Sequence, residues 1–354
     1  MPDARRLFPH SSTSSACLIL GGSGYIGSRW AQRLARSRRF DRIVATDLQP
    51  LPGGLPPGVE FAVCDVRKPW GSQFPEIRPD WIFNFAAVHR EPGHPRLDYF
   101  ETNLPGARNA VEYAESVFCP RMLFTSSIAT YGPTSGPTSE SSPTCPTTAY
   151  GISKLTAEWI QRTWQVSSPN RTLRICRPGV IYGPGDPGNI LRMIRAIQRG
   201  YFVFPGSRSL MKSYGYIEGL LDSFEFVMDR PEPVLTYNYV EQETLPLGDL
   251  VEVVKRVLRK SAPTVAIPLP VLTVVAGVIQ VLTAGRSPIH PARVRKVATS
   301  THIVPAFLAS SGFQFGYGFE RSLQHWLNAA PEDFRKGGDF QNSGPLPLSP
   351  SWPP

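Results

Sequence analysis

The sequence predicts an α/β protein organised on a doubly wound parallel sheet, and three observations carry that expectation. Short apolar runs of β character recur through the first third of the chain, at 17–20, 43–47, 60–64, 81–86 and 122–126. Helical patterns stand between several of them, at 28–36 and 103–116. A glycine-rich turn joins the first run to the first helical pattern. Strands that alternate with helices assemble as right-handed βαβ units, which gives a parallel sheet covered by helices on both faces.

The first run, Cys17-Leu18-Ile19-Leu20, leads directly into Gly21-Gly22-Ser23-Gly24-Tyr25-Ile26-Gly27, and the helical pattern then passes through Trp30 and Leu34. Glycines at 21 and 24 let the backbone turn tightly and approach a diphosphate, and Gly27 lets the helix pack on the strand. The helix N-terminus adds free amides and a positive dipole end. In this register the three features make a dinucleotide-binding pattern. The second run ends on Asp47, twenty residues after Gly27. A carboxylate there accepts hydrogen bonds from ribose hydroxyls and repels a 2′-phosphate, so NAD is expected in preference to NADP.

Beyond Gly183 the alternation gives way to Gly183-Pro184-Gly185-Asp186-Pro187-Gly188 and a helical stretch at 191–199. The chain therefore divides into a flexible N-terminal tail at 1–15, an NAD-binding domain at 16–182, a mainly substrate-binding region at 183–336 and a disordered tail rich in Pro, Ser and Gly at 337–354.

With 354 residues, 41% of them hydrophobic, the chain can bury a large core. Its formal charge of +9 is scattered, which suits a diphosphate ligand, and no basic tract interleaved with aromatics points to nucleic acid. Five cysteines at wide, irregular spacing suggest neither a disulfide framework nor a zinc site, six scattered histidines suggest no metal, and a reducing cytoplasm fits best. The N-terminus lacks the apolar segment of a secretory signal. No charged residue occurs from Ser261 to Gly285, where Pro268 and Pro270 interrupt the stretch and Thr264, Thr273, Gln280 and Thr283 dilute it. A packed, buried helix is expected there and no membrane span, with association at a bilayer surface as the lesser reading.

Tyr150-Gly151-Ile152-Ser153-Lys154 puts a phenol and an ammonium four residues apart on a helical pattern, hence on one face. A nearby ammonium favours phenolate, which would let Tyr150 act as a base near neutral pH. Upstream, Thr125-Ser126-Ser127 ends an apolar run, where a serine hydroxyl can bond a reacting oxygen and share its proton with the tyrosine.

The glycine turn, Asn84-Phe85-Ala86-Ala87, Ser127, the Tyr150/Lys154 pair and Arg177-Pro178 through Tyr182-Gly183-Pro184-Gly185 together resemble the extended short-chain dehydrogenase/reductase superfamily, and within it the nucleotide-sugar epimerase/dehydratase family. The resemblance covers roughly 17–326 and implies a Rossmann-type fold with Ser127, Tyr150 and Lys154 as catalytic triad. It implies NAD held by Gly21, Gly24, Tyr25, Ile26, Gly27, Asp47, Asp65, Val66, Ala86, Ala87, Asn103, Tyr150 and Lys154. Glu140, Pro146 and Thr148 fit the family's loop before the tyrosine. Asn189 and Lys212 match positions near the substrate diphosphate, and His89 is a candidate substrate contact.

By the same resemblance the activity is that of a sugar 4-epimerase: Tyr150 takes the C4 hydroxyl proton as hydride passes to NAD, the 4-keto sugar turns over, and hydride returns to the other face. A homodimer is implied as well. Two departures bear on this. Ile128-Ala129 stand where dehydratases carry an Asp-Glu pair, so elimination lacks its proton carriers. Val180 stands where many sugar-nucleotide members have asparagine, and Arg177-Pro178-Gly179-Val180-Ile181-Tyr182-Gly183 also resembles members acting on apolar hydroxy substrates such as sterols. A net-redox dehydrogenase or ketoreductase remains the alternative, and a non-catalytic NAD-binding scaffold a third.

Overall fold

The structure, a computed structural model, describes residues 15–70, 76–91, 93–134, 136–283 and 299–335. The tail expected at 337–354, and all of the one at 1–15 except Ser15, lie outside the described residues.

The first half is the expected alternation. Strand β1 (Ala16–Leu20) leads through the glycine turn into helix α1 (Tyr25–Ser37), followed by β2 (Arg42–Asp47), β3 (Val59–Val63), β4 (Trp81–Asn84), α2 (Arg96–Ser116), β5 (Arg121–Thr125), α3 (Ala149–Val166) and β6 (Thr172–Pro178). After β7 (Val180–Tyr182), α4 (Asn189–Gln198), β8 (Phe202–Pro205), β9 (Tyr214–Tyr216) and α5 (Ile217–Met228), the chain returns to the main sheet as β10 (Val234–Tyr239). The seven strands lie in the order β10-β6-β5-β4-β1-β2-β3, and every pairing is parallel.

Burial on both faces explains why the strands read as nearly continuous apolar runs. Successive side chains of β1 serve opposite faces: Cys17 and Ile19 enter one core with Trp30, Phe83 and Phe224, while Leu18 and Leu20 enter another with Ala107, Ala110, Ala157 and Trp164 of α2 and α3. Trp30 carries α1 onto the sheet, with its ring edge-on to Phe83 at 5.2 Å and to Phe224 at 5.4 Å. The first core thus joins residues from both halves of the chain.

The remaining elements are α6 (Leu247–Leu258), β11 (Thr264–Ile267), α7 (Leu269–Leu282), α8 (Ala306–Ser310) and α9 (Phe319–Ala329). β7 pairs with β9 and β8 with β11, each in parallel. The Gly/Pro-rich 183–188 loop is tied to the end of the described chain by Asp333, whose Oδ2 accepts from Gly185 N and Trp326 Nε1, both at 2.7 Å.

One expectation needs correction. The uncharged stretch does form a helix, α7, but the helix is not buried: Ala276 faces inward while Val271, Val274, Val275, Val278 and Leu282 are exposed. Apolar composition dictates aversion to water and cannot by itself supply a neighbouring element to pack against. Ala284 and Gly285 lie outside the described residues, and among those described no helix is long and apolar enough to cross a membrane.

The turn after β1 gives a direct test of the packing. A Cβ on Gly27 would sit 2.1 Å from the Gly21 carbonyl oxygen, a backbone atom, whereas one on Gly24 would sit at 3.2 Å from the same atom. Gly27→Ala should lose on the order of 2 kcal/mol or more of stability, seen as a lowered melting temperature, with Gly24→Ala affected less. Equal melting of both variants and the parent would contradict this close approach.

Candidate active site

The crevice beside β1 is where strand order reverses, with β2 on one side and β4 on the other, and open α/β sheets bind ligands at such a point. Gly21 has φ of +77°, the left-handed region, and its missing side chain admits the loop after β4: a Cβ there would lie 2.8 Å from Ala86 N. Gly21 N and Gly22 N both donate to Thr46 O at 2.9 Å, which binds the turn to the end of β2. α1 begins after Gly24 with no capping side chain and no acidic residue in its first turn, leaving amides and dipole for an anion. The Asp47 carboxylate lies over this turn, accepting from Ser23 N at 3.1 Å and Leu48 N at 2.8 Å. A cradle that a Cβ would fill, an uncapped helix start and a carboxylate at the end of β2 fit a dinucleotide without a 2′-phosphate.

Ser127 follows β5 and starts a short 3₁₀ turn, Ile128–Tyr131, with its Oγ accepting from Ala129 N at 3.1 Å. Thr148 caps α3 by accepting from Gly151 N at 3.1 Å, so the helix starts where Tyr150 faces Ser127. The Ser127 hydroxyl is near enough to the Tyr150 phenol to lower its proton affinity. Burial pushes the phenol up to about 12 against the lowering effect of Ser127, and Glu91 and Tyr99 push the same way as burial. Lys154 is buried one turn on, its Nζ 4.3 Å from the centre of the Phe124 ring. Burial brings its ammonium down to about 7, opposed by Glu158.

The expectation that Lys154 makes Tyr150 a phenolate near neutral pH is therefore not met in this structure. Sharing a helix face does not determine where a flexible ammonium goes, and this one lies against the end of β5. In this site, burial raises the phenol and lowers the ammonium.

Beneath Ser127, Tyr150 and Lys154 lies a polar network whose pairings have no signature in the sequence, although Arg177 and Glu140 stand in motifs noted there. Arg177 of β6 grips Glu158 of α3 through two bonds, Nε to Oε1 at 2.9 Å and Nη2 to Oε2 at 2.7 Å, with both residues buried. Its Nη1 donates to Tyr131 OH at 3.0 Å, and Tyr131 OH donates to Asn238 Oδ1 at 2.8 Å. Glu140 completes the set by accepting from Asn238 N at 2.9 Å and Ala306 N at 3.1 Å. Glu91 and Tyr99 were also missed: Glu91 Oε1 lies 3.5 Å from Tyr150 N, and the Tyr99 and Tyr150 rings are 6.1 Å apart. Carboxylates and tyrosines of this kind are ordinary in loops and on helices, and only the fold brings them to the triad.

The other expected residues are placed as follows. Asp65 is held below the usual carboxylate range by the Arg67 guanidinium, which donates to it through Nε and Nη2 at 2.8 Å each. Val66 packs toward Gly106, and its carbonyl accepts from Asn109 Nδ2 at 2.8 Å. Asn103 is buried and ties α2 to the loop after β4 and to α3: Oδ1 accepts from Val88 N at 2.8 Å and Nδ2 donates to Ser153 Oγ at 2.9 Å. His89 is on the loop after β4, at the surface, and its imidazole is shifted below its ordinary value by partial desolvation and, to a lesser degree, by the nearby Arg90 and Lys154 charges. Asn189 starts α4 and accepts from Arg192 at 3.4 Å. Lys212 lines a small hollow with Tyr214, Glu241 and Phe319 and donates to the Thr299 carbonyl. The glycine turn, Asp47, Ala86, Ser127, Tyr150, Lys154 and His89 thus gather around the crevice, while Asn189 and Lys212 belong to the second half.

Comparison with known proteins agrees with this geometry. A 4-epimerase of N-acetyl-alpha-D-glucosaminyl-diphospho-ditrans,octacis-undecaprenol from Escherichia coli O157:H7 is 28% identical over 326 residues, spanning 89% of this chain and 96% of its own. The UDP-glucuronic acid 4-epimerase of Bacillus cereus, solved with NAD, matches with a TM-score of 0.70 at 17% identity, over 90% of this chain and 100% of that one. The Thermus thermophilus UDP-glucose 4-epimerase, also solved with NAD, matches at 0.67 and 19% identity, over 91% and 100%. At such identities the two structures speak for the fold. The sequence profile of the NAD dependent epimerase/dehydratase family matches residues 17–239, more than half of the chain. This chain belongs to the NAD-dependent epimerase/dehydratase family and is an NAD-dependent enzyme of Rossmann fold.

Proposed function

We propose that the chain is a 4-epimerase of a hexose carried on a diphosphate, with the NAD site in 16–182 and the sugar site formed mainly by 183–336. The observation that carries the reading is the placement of Ser127 at the end of β5 opposite the start of α3, where Tyr150 and Lys154 stand one turn apart, beside the glycine cradle. The Escherichia coli relative, matched over 96% of its length, acts by its name on a sugar linked to polyprenyl diphosphate, and the two solved epimerases are named for UDP-sugars. A diphosphate is common to both carriers. Asn189 and Lys212 are its proposed partners, and His89 faces the sugar.

NAD bound in the cradle supplies a reversible two-electron acceptor. Its diphosphate would lie on the amides of Gly24, Tyr25, Ile26 and Gly27, its adenosine ribose on Asp47 and its adenine near Asp65 and Val66. Ala86, Ala87, Asn103 and Lys154 would serve the other end. In the protein's own part of the reaction, Tyr150 Oη takes the proton from the C4 hydroxyl when the centre is oxidised and returns it when the centre is reduced. Ser127 Oγ donates to the same sugar oxygen and holds it in line. A neighbouring charge would lower the phenol, and Lys154 supplies it when protonated. Ile128 and Ala129 follow Ser127 with no carboxylate to carry protons for elimination, which supports epimerisation over dehydration.

The reading includes a homodimer, supported by the exposed Leu97, Trp159 and Val166 on α2 and α3, and a cytoplasmic location, supported by four buried free thiols at Cys17, Cys64, Cys119 and Cys176.

Tyr150→Phe should keep NAD binding and the fold while turnover falls about a hundred-fold or more; unchanged turnover would remove Tyr150 from the reaction. Calorimetry should find NAD bound more tightly than NADP, and Asp47→Ala should narrow the gap; equal affinity in the parent would take that role from Asp47. Lys154 gives a pH signature. It titrates at about 7 folded and about 10.4 unfolded. Between those values the unfolded chain binds more protons, so this group's contribution to stability rises with pH, and below them its burial penalty is fully present. Without added NAD, Lys154→Met should raise stability at about pH 6 by on the order of 1–3 kcal/mol, with the gain vanishing near pH 10, while activity is lost. A gain independent of pH would contradict a buried charge.

A further inference from the structure

We infer that the exposed face of α7 and the β8/β11 pair seat this enzyme on an anionic phospholipid surface. The inference rests on the proposed function for its occupant, because a sugar carried on a polyprenyl diphosphate resides in a bilayer.

α7 has two apolar faces. Leu272, Ala276 and Ile279, spaced i, i+4, i+7, turn toward the protein and are buried or half-buried. The other face carries Val271, Val274, Val275, Val278 and Leu282, which are 51, 66, 47, 52 and 80% exposed, at spacing i, i+3, i+4, i+7, i+11. A helix on the surface of a water-soluble protein places polar residues on that outer face. In β11, immediately before α7, Val265 is 57% exposed and is paired in register with the exposed Val203 of β8, which adds a second apolar strip. The helix has 14 residues, about 21 Å, shorter than a hydrocarbon core of about 30 Å. Such a helix suits a position along the interface.

Charge selects the kind of surface. Because β8 and β11 run parallel, with Phe202 N donating to Pro263 O at 3.1 Å, the residues before each strand lie at the same end of the pair. These are the exposed Arg199 and Tyr201 before β8 and the exposed Arg259 and Lys260 before β11. Cations and an aromatic at one end of a strand pair that exposes Val203 and Val265 match anionic headgroups over acyl chains. The bias runs on in sequence: between Glu252 and Glu320 there is no acidic residue and there are eight basic ones. A second protein would need no such one-sided charge.

The test uses the full chain, vesicles of phosphatidylcholine with and without phosphatidylglycerol, and two diphosphate-linked sugars, one on a short water-soluble prenyl chain and one on a long chain in vesicles. The protein should co-sediment with phosphatidylglycerol vesicles and far less with phosphatidylcholine alone. The double variant Val274→Asp/Val278→Asp should bind at least tenfold less, and Arg259→Glu/Lys260→Glu should lose the salt-sensitive part of binding. Both should keep the parent's melting temperature and its turnover on the short-chain substrate, and lose turnover on the long-chain one. A parent that stays in the supernatant yet epimerises the short-chain sugar overturns the docking and leaves the proposed function standing. Vesicle binding by the parent with no epimerisation of either sugar upholds the docking and sinks the epimerase. Loss of a dimer in the valine variant, by light scattering, without vesicle binding by the parent, overturns the inference and gives the face to a second copy.

Discussion

The buried ion pair between Arg177 and Glu158 is the constraint on which the candidate site depends. Removing two charges from water is costly, and such a pair holds its place only when its geometry is good and its remaining hydrogen-bonding capacity is used. Here two parallel bonds and the Tyr131 hydroxyl meet that demand. The consequence is positional. Glu158 lies two turns beyond Tyr150 and one beyond Lys154 on α3, so the pair fixes the rotation of that helix against β6. Tyr131 ends the short turn that Ser127 begins, so the same guanidinium also sets the height of the serine. Through Asn238 and Glu140 the network reaches β10 and α8, linking the second half of the chain to the candidate site.

The network also shapes the electrostatics above it. Glu158 opposes the burial of Lys154, but its carboxylate is already shared with Arg177, and burial remains the larger effect on the lysine. Tyr150 is likewise governed by burial, and its partner Ser127 only moderates that. The two groups are therefore displaced in opposite directions, the phenol upward and the ammonium downward. A phenol raised in this way needs a neighbouring positive charge before it can take a proton from a sugar hydroxyl.

What could be read from the sequence was local. The glycine turn, the strand-end Asp47 and Ser127, and the i, i+4 pair of Tyr150 and Lys154 are each patterns within a few residues, and the structure places them around one crevice. Helix α2 was recognised only from Asn103, although it begins at Arg96, because Arg96, Asp98, Glu101 and Thr102 break the apolar periodicity. The Arg177–Glu158 pair was not legible, since both residue types usually lie on surfaces and their meeting needs β6 beside α3. The environment of Tyr150 was misread because spacing places a lysine on the right face without stating where its ammonium points. α7 was expected to be buried because apolar content was taken for packing, and its outward valines show that the two are separate properties.

The fate of the hydrogen at C4 tests the account most directly. The purified enzyme is given NAD and a diphosphate-linked hexose labelled with deuterium at C4, and the product is examined by NMR and mass spectrometry. Epimerisation through this triad predicts inversion at C4 with the deuterium retained and no net accumulation of reduced nicotinamide. Stoichiometric reduced nicotinamide with a ketosugar product, or an inverted product whose label has been lost to solvent, would contradict it.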